Sequence, residues 1–131
     1  MIRIMLAEDD PAQALLTEMA LNEVAPAHER VEIARFATGH DALAAVSGPP
    51  PDLALLDIRL PGASGFDVLA AIRAAPGWSE VPVVMLSMAD DERDRQRAAS
   101  LGANDYMVKP LGLDALEALL RGVLARWVIR S

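Results

Sequence analysis

Reactive side chains stand directly after four apolar runs of this chain. One run leads into the acidic segment Glu8–Asp10, another into Asp57, and two more into Ser87 and Lys109. A carboxylate can act as a nucleophile and form an aspartyl phosphate. The charge that develops on the phosphoryl oxygens then needs a cation and a hydrogen-bond donor. Asp57, Lys109 and Ser87 are residues of those three types.

The acidic segment also indicates a metal ion. Clustered carboxylates without Cys or His suit a hard cation such as Mg²⁺ or Ca²⁺. Without a cation, neighbouring acids repel one another and raise one another's pKa. Mg²⁺ usually takes one or two carboxylates, water molecules and a phosphate oxygen. The sequence therefore predicts Mg²⁺ beside Glu8 and Asp9.

Short apolar runs and helical segments alternate five times and must position these groups. The predicted strands are Arg3–Ala7, Val31–Phe36, Leu53–Leu56, Val81–Leu86 and Tyr106–Val108. The predicted helices begin at Pro11 and span Gly39–Val46, Phe66–Ala75, Asp90–Leu101 and Leu113–Val128. This alternation predicts an α/β fold, a flavodoxin-like (βα)5 three-layer sandwich with a parallel sheet in the order 2-1-3-4-5.

In that order, the four strands that lead into reactive groups are neighbours. Ligands bind at the carboxyl ends of such strands. Each residue alone also fits a structural role, because acids often begin helices and Asp10 before Pro11 could be only a cap. Four polar strand ends in one direction favour a single shared site.

Length and composition are those of one globular domain over residues 1–131. The net charge is −7 and the pI is about 4.7, which argues against binding DNA or an anionic membrane through bulk charge. The absence of cysteine excludes disulfides and thiolate chemistry. No apolar run approaches the ~20 residues that cross a bilayer. We expect a cytoplasmic domain without an output domain.

Four motifs, taken in order, resemble the receiver domain of bacterial two-component response regulators. They are the acidic segment with Pro11, residues 57–65 (DIRLPGASG), residues 82–87 (PVVMLS) and residues 102–110 (GANDYMVKP). The second fits the phosphoacceptor pattern Asp-x-x-(Met/Leu)-Pro-x-x-(Asp/Ser)-Gly. The resemblance covers essentially the whole chain, and four motifs at these spacings are highly specific.

The resemblance implies that Asp57 accepts a phosphoryl group from a histidine kinase, while Lys109 and Ser87 bind the phosphoryl oxygens. It implies a Mg²⁺ site formed by Glu8, Asp9, Asp57 and the backbone carbonyl of Arg59. The domain would catalyse its own phosphorylation and dephosphorylation rather than act as an enzyme on a separate substrate.

A conformational switch is also implied by the resemblance. Tyr106 would swing inward as Ser87 moves toward the phosphoryl group, whereas an isolated tyrosine here would be a half-buried strand residue with its hydroxyl in water. The Lys109–Pro110 bond is expected to be cis. Met88 and Arg59 depart from the family pattern at the mouth of the site, and we expect them to gate the water that hydrolyses the phosphate.

Partners follow from the resemblance and from the last helix. Residues 75–80 and the tail with Trp127 resemble stand-alone receivers paired with bacterial phytochrome kinases, and output would go through contact with an unidentified protein. Apolar residues occupy an arc of about 180° on the last helix, broader than the ≳100° that a surface helix needs. We expect a homodimer through the fourth helix, fifth strand and fifth helix, with a face that includes Leu113, Leu116, Leu124, Trp127 and Val128.

Two other functions stay open. A pseudo-receiver would be a constitutive interaction module that kept the fold without the chemistry, but such a protein should lack an acid, the lysine or the phosphoacceptor. A hydrolytic phosphatase is less favoured, because Arg59 stands where a dedicated acid–base residue would be needed.

Overall fold

Strands and helices alternate along the chain in a computed structural model that describes residues 1–129. The strands are β1 (Ile2–Ala7), β2 (Val31–Phe36), β3 (Leu53–Asp57), β4 (Val83–Ser87) and β5 (Asp105–Val108). The helices are α1 (Pro11–Val24), α2 (Gly39–Ala45), α3 (Gly65–Ala74), α4 (Glu92–Ser100) and α5 (Leu113–Trp127). The predicted alternation is confirmed.

All paired strands run parallel in the order β2-β1-β3-β4-β5, as predicted. Every residue of β3 and β4 is buried, because both faces of the sheet are covered. One core cluster lies between the sheet and α1 and α5, and the other lies between the sheet and α2, α3 and α4. None of the helices within residues 1–129 is long and apolar enough to cross a membrane.

Element boundaries differ from prediction where local hydrogen bonding decides them. β4 begins at Val83 rather than Val81, since Pro82 has no N–H for the ladder and the N–H of Val81 bonds to Trp78 in a turn. α4 begins at Glu92 because the side chain of Asp91 caps the helix.

The apolar arc of α5 packs inside the subunit, which corrects part of the expected dimer face. Leu116 and Leu124 are buried, and Leu113, Trp127 and Val128 are partly buried against the same core cluster. The ≳100° arc used for the expectation is the width of the apolar stripe with which a surface helix covers a sheet. α5 packs on α1 as well as on the sheet, so it needs a wider arc.

Gly65 lets the start of α3 approach the end of β3. A Cβ atom at this position would lie 2.1 Å from the backbone oxygen of Asp57, whereas one at Gly122 on α5 would meet no atom within 4 Å. The N–H of Gly65 donates to the oxygen of Ile58 at 2.9 Å. The close approach therefore fixes the backbone around Asp57.

We expect Gly65→Ala to lower the free energy of unfolding by about 3 kcal/mol, because backbone must move to admit the methyl group. Gly122→Ala is the matched control and should raise it by about 0.7 kcal/mol, since a helix interior favours Ala. Urea unfolding measures both. Equal stability of the Gly65→Ala variant and the parent would contradict the close approach.

Candidate phosphoryl-transfer site

A cleft of about 340 Å³ opens at the carboxyl ends of β1, β3, β4 and β5. It is lined by Glu8, Asp9, Asp10, Gln13, Asp57, Arg59, Ser87, Met88, Ala89 and Lys109. The strand order thus brings together all of the predicted catalytic and carboxylate residues. Asp57 and Ser87 are the last residues of β3 and β4, so the sheet itself places their side chains.

Lys109 joins two carboxylates at the base of the cleft. Its Nζ donates to Oδ2 of Asp57 at 2.8 Å and also to Oε1 of Glu8. The side chains of all three residues are at most 12% exposed. The backbone N–H of Lys109 donates to the oxygen of Ser87 at 2.7 Å, which fixes the lysine beside the end of β4.

Burial and charge act on this ion cluster in opposite directions. Burial raises the pKa of Glu8, and the Asp57 carboxylate adds to this effect, while the Lys109 hydrogen bond opposes it. Burial would lower the pKa of Lys109, but the hydrogen bonds to Asp57 and Glu8 outweigh it and raise that pKa. Lys109 therefore stays an ammonium ion at neutral pH.

Arg35 supports the acidic segment and has no role in the sequence prediction. Its guanidinium donates to the backbone oxygens of Glu8 at 3.0 Å and Asp9 at 3.2 Å. The sequence feature that could have indicated this role is the position of Arg35 near the carboxyl end of β2, where it lies opposite Leu6 in the neighbouring β1. On the other side of the segment, Asp10 caps α1 through its side chain, as one of the structural alternatives had it.

Asp57 is oriented by its own loop. Oδ1 of Asp57 accepts from the backbone N–H of Arg59 at 3.0 Å. The side chain of Arg59 is exposed at the cleft and, within residues 1–129, forms no ion pair with the acids. Met88 is 62% exposed at the cleft rather than packed under α4. Both predicted gate residues therefore lie at the mouth.

Ser87 and Tyr106 meet through the loop that follows β4. Oγ of Ser87 accepts from the N–H of Ala89 at 3.2 Å, and the Tyr106 hydroxyl donates to the oxygen of Ala89 at 2.8 Å. The Tyr106 residue is only 5% exposed, so its ring lies inward and its hydroxyl is bonded to protein. It is not the half-buried residue with a hydroxyl in water that an isolated tyrosine would give.

The Lys109–Pro110 bond is trans, because no peptide bond among residues 1–129 is cis. The expected cis bond is therefore wrong for this structure. A trans bond before proline is favoured by about 0.5–1 kcal/mol unless tertiary contacts oppose it.

The response regulator receiver domain model matches residues 4–121. This chain belongs to that family. The receiver domain is 35% identical over 126 residues to the transcriptional regulatory protein KdpE of Mycobacterium tuberculosis, a match that covers 96% of this chain and 52% of KdpE. The chain thus spans about half the length of the curated relatives it matches, among them TcrA and TrcR of the same species.

Solved receiver structures cover the chain almost completely. The phosphorylated cyanobacterial phytochrome response regulator RcpA is 31% identical, with a TM-score of 0.87 over 97% of this chain and 94% of RcpA. The Mn²⁺-bound form of the response regulator Rcp1 is 28% identical, with a TM-score of 0.85 over 100% of this chain and 97% of Rcp1.

The acidic residues of the receiver domain fit a divalent cation. Carboxylate oxygens of Glu8, Asp9 and Asp57 lie within 4.8 Å of one another, with Asp9 exposed and the other two buried. Carboxylate oxygens are hard ligands of the kind that Mg²⁺ binds, and one or two of the three are enough for a site that water and phosphate complete. Lys109 neutralises only part of their charge, so the cluster retains capacity for a cation.

We expect Asp9→Asn to weaken Mg²⁺ binding at least about tenfold, because it removes one charged ligand. Asp10→Asn is the matched control, since Asn still caps α1 and Asp10 is not in the cluster. Isothermal titration calorimetry with MgCl₂ measures the affinities. A larger loss in Asp10→Asn than in Asp9→Asn would contradict the assignment.

Proposed function

We propose that this receiver domain accepts a phosphoryl group from a histidine kinase on Asp57 and signals through protein contacts. The observation that carries the proposal is the convergence of Asp57, Lys109 and Ser87 on one cleft of about 340 Å³. A receiver domain of a response regulator is a signalling protein. Its substrate is its own side chain.

The proposed transfer step uses side chains that line the cleft. A carboxylate oxygen of Asp57 forms a bond to phosphorus while the P–N bond of the kinase phosphohistidine breaks, and the imidazole leaves with the electron pair. Lys109 donates to the phosphoryl oxygens, and the Ser87 hydroxyl is the second donor. Hydrolysis removes the phosphoryl group again. Water attacks phosphorus, the bond to the Asp57 oxygen breaks, and the Asp57 carboxylate is restored while inorganic phosphate leaves with the two protons of the water.

Mg²⁺ is the cofactor that this chemistry requires. Glu8, Asp9 and Asp57 would hold it, together with the backbone carbonyl of Arg59. When bound, the ion neutralises charge on the phosphoryl oxygens. The protein's own part is to keep Asp57 oriented through the Arg59 N–H at 3.0 Å and to keep Lys109 charged beside it.

Exposed apolar side chains follow three of the segments that line the cleft, and they suit a kinase partner. Leu15 is 58%, Met88 62% and Leu111 89% exposed, and they follow the acidic segment, β4 and Lys109 respectively. Met88 lines the charged cleft itself, and an exposed apolar side chain at such a place is available for contact with a partner. The likeness to the phytochrome response regulator RcpA supports a bacterial phytochrome as the kinase.

Phosphorylation at Asp57 is testable directly. We expect acetyl phosphate to label the protein only with Mg²⁺ present, because the ion offsets charge repulsion between the donor and the acids. Asp57→Asn keeps the shape but removes the nucleophile, so it should abolish labelling. Phos-tag electrophoresis and intact mass measure the adduct. Asp52→Asn, an exposed acid at the other end of β3, is the matched control and should be labelled normally.

An unlabelled parent protein with Mg²⁺ bound would contradict the phosphoacceptor proposal. It would favour the pseudo-receiver, a constitutive interaction module with the same fold. Unchanged labelling of the Asp57→Asn variant would instead show that another residue accepts the phosphoryl group.

Met88 and Arg59 set the lifetime of the phosphate in this proposal. Hydrolysis needs water in line with the Asp57 oxygen, and both side chains stand at the mouth of the cleft. We expect Met88→Ala to speed autodephosphorylation about threefold, which corresponds to about 0.6 kcal/mol in the barrier. Met19→Ala, an exposed methionine on α1, should leave the decay unchanged. An unchanged or slower decay in Met88→Ala would show that Met88 is not a gate.

A homodimer through α4, β5 and α5 is part of the proposal, with the exposed surface of these elements as its face. Arg93 is exposed on α4, and Val108 is 36% exposed at the end of β5. Both charge signs along α4 allow pairing between copies related by a twofold axis.

Analytical ultracentrifugation at high micromolar concentration should show a dimer, with and without phosphate on Asp57. Arg93→Glu should weaken it, because the substitution places like charges together, whereas Arg30→Glu in the connection between α1 and β2 should not. A monomer under all conditions would contradict the dimer.

The charge of the domain and the needs of the proposed chemistry indicate where the domain acts. A net charge of −7 gives the domain little attraction for DNA or for anionic membranes. The proposed phosphoryl donor, a histidine kinase, and Mg²⁺ are both available in the cytoplasm, so we propose that the domain acts there.

A further inference from the structure

Two arginines of α4 stack on aromatic rings of neighbouring elements. Within the described helix Glu92–Ser100, Ala98 is the only buried residue. The guanidinium of Arg95 lies 4.6 Å from the ring centre of Tyr106, and that of Arg97 lies 4.4 Å from the ring centre of Phe66. An element with so few buried apolar contacts depends on such stacked cations for its position.

Arg95 holds three parts of the structure together. Its Nη2 donates to Oδ1 of Asp90 at 2.8 Å, and its Nη1 donates to the backbone oxygen of Tyr106 at 3.3 Å. The Tyr106 hydroxyl in turn donates to Ala89, which is next to Asp90. We name the set Arg95, Asp90 and Tyr106 the arginine clasp. It links α4, β5 and the loop after β4.

We propose that Arg95 is a positioning residue that holds Tyr106 inward before Asp57 is phosphorylated. The inference rests on the proposed switch role of Tyr106. Outward rotation of the ring must break its stacking under Arg95 as well as the hydrogen bond to Ala89. The clasp therefore favours the inward state of Tyr106 even without a phosphoryl group. Because most molecules are then already in that state, phosphorylation changes the inward fraction by less.

The hydrogen bond to Asp90 orients the guanidinium plane of Arg95. A guanidinium is planar, and a hydrogen bond to one side fixes the plane that the ring can stack against. Arg97 has the same chemistry two residues along α4, but its guanidinium stacks on Phe66 of α3 rather than on Tyr106. The two arginines therefore separate a specific effect on Tyr106 from a general loosening of α4.

The experiment uses the fact that Tyr106 is the only tyrosine of the chain. Labelling with 3-fluorotyrosine gives one ¹⁹F reporter, and the solvent isotope shift between H₂O and D₂O measures its exposure. In the unphosphorylated parent the shift should be small. Arg95→Ala should lower the inward-to-outward ratio about fivefold, the effect expected from loss of one stacked cation, and so increase the isotope shift.

Arg97→Ala is the matched control and should leave the ¹⁹F signal at its parent position. Arg95→Lys keeps the charge but loses the planar fork, so it should fall between the parent and Arg95→Ala. The amide spectrum of each variant checks that the fold is kept. An unchanged isotope shift in Arg95→Ala, or equal changes in the Arg95→Ala and Arg97→Ala variants, would overturn the inference.

A second measurement separates this inference from the proposed function. Beryllofluoride with Mg²⁺ mimics the phosphoryl group and should return the Arg95→Ala signal toward the parent position. If the signal changes in Arg95→Ala but no variant responds to beryllofluoride, the clasp stands and the switch role fails. If beryllofluoride moves the parent signal as far as it moves that of Arg95→Ala, the parent was not held inward and the clasp fails.

Discussion

One buried ammonium ion makes the whole site possible. Glu8 and Asp57 lie side by side with little exposure, and two carboxylates in such a place would oppose each other's ionisation. The Nζ of Lys109 satisfies both. Removal of one member of a buried ion cluster is far more costly than its net contribution suggests, so the three strand ends that carry these groups must keep their relative positions.

The surrounding fold meets that requirement through close backbone contacts. Gly65 brings the start of α3 against Asp57, and Arg35 fixes the carbonyl groups of the acidic segment from the edge strand β2. The backbone of Lys109 is joined to β4. α4 differs from these supports, because Ala98 is its only buried residue and its arginines stack on Tyr106 and Phe66. A cleft held by close backbone contacts beside a helix with one buried residue is an arrangement in which the helix can move while the cleft stays fixed.

Much of this could be predicted from the sequence, because the relevant signals are local. Buried parallel strands are short apolar runs, and a polar residue directly after such a run lies at the edge of the sheet where ligands bind. Contacts between segments that are distant in sequence could not be predicted from such local signals. Arg35 and Arg95 are ordinary surface residues by their neighbours in sequence, and the packing of α5 on α1 depends on the angle between two helices. The Lys109–Pro110 bond has the isomer that an X–Pro bond favours by itself, and only tertiary contacts could have made it cis.

The use of arginine in place of lysine has a chemical consequence. The chain has eleven arginines and one lysine, and that lysine side chain is 8% exposed and paired with two acids. Only an unprotonated amine is nucleophilic, so Lys109 is shielded from acylating reagents. Amine-directed dyes and cross-linkers will therefore leave the only lysine of the chain, and with it the cleft, unmodified in the folded protein.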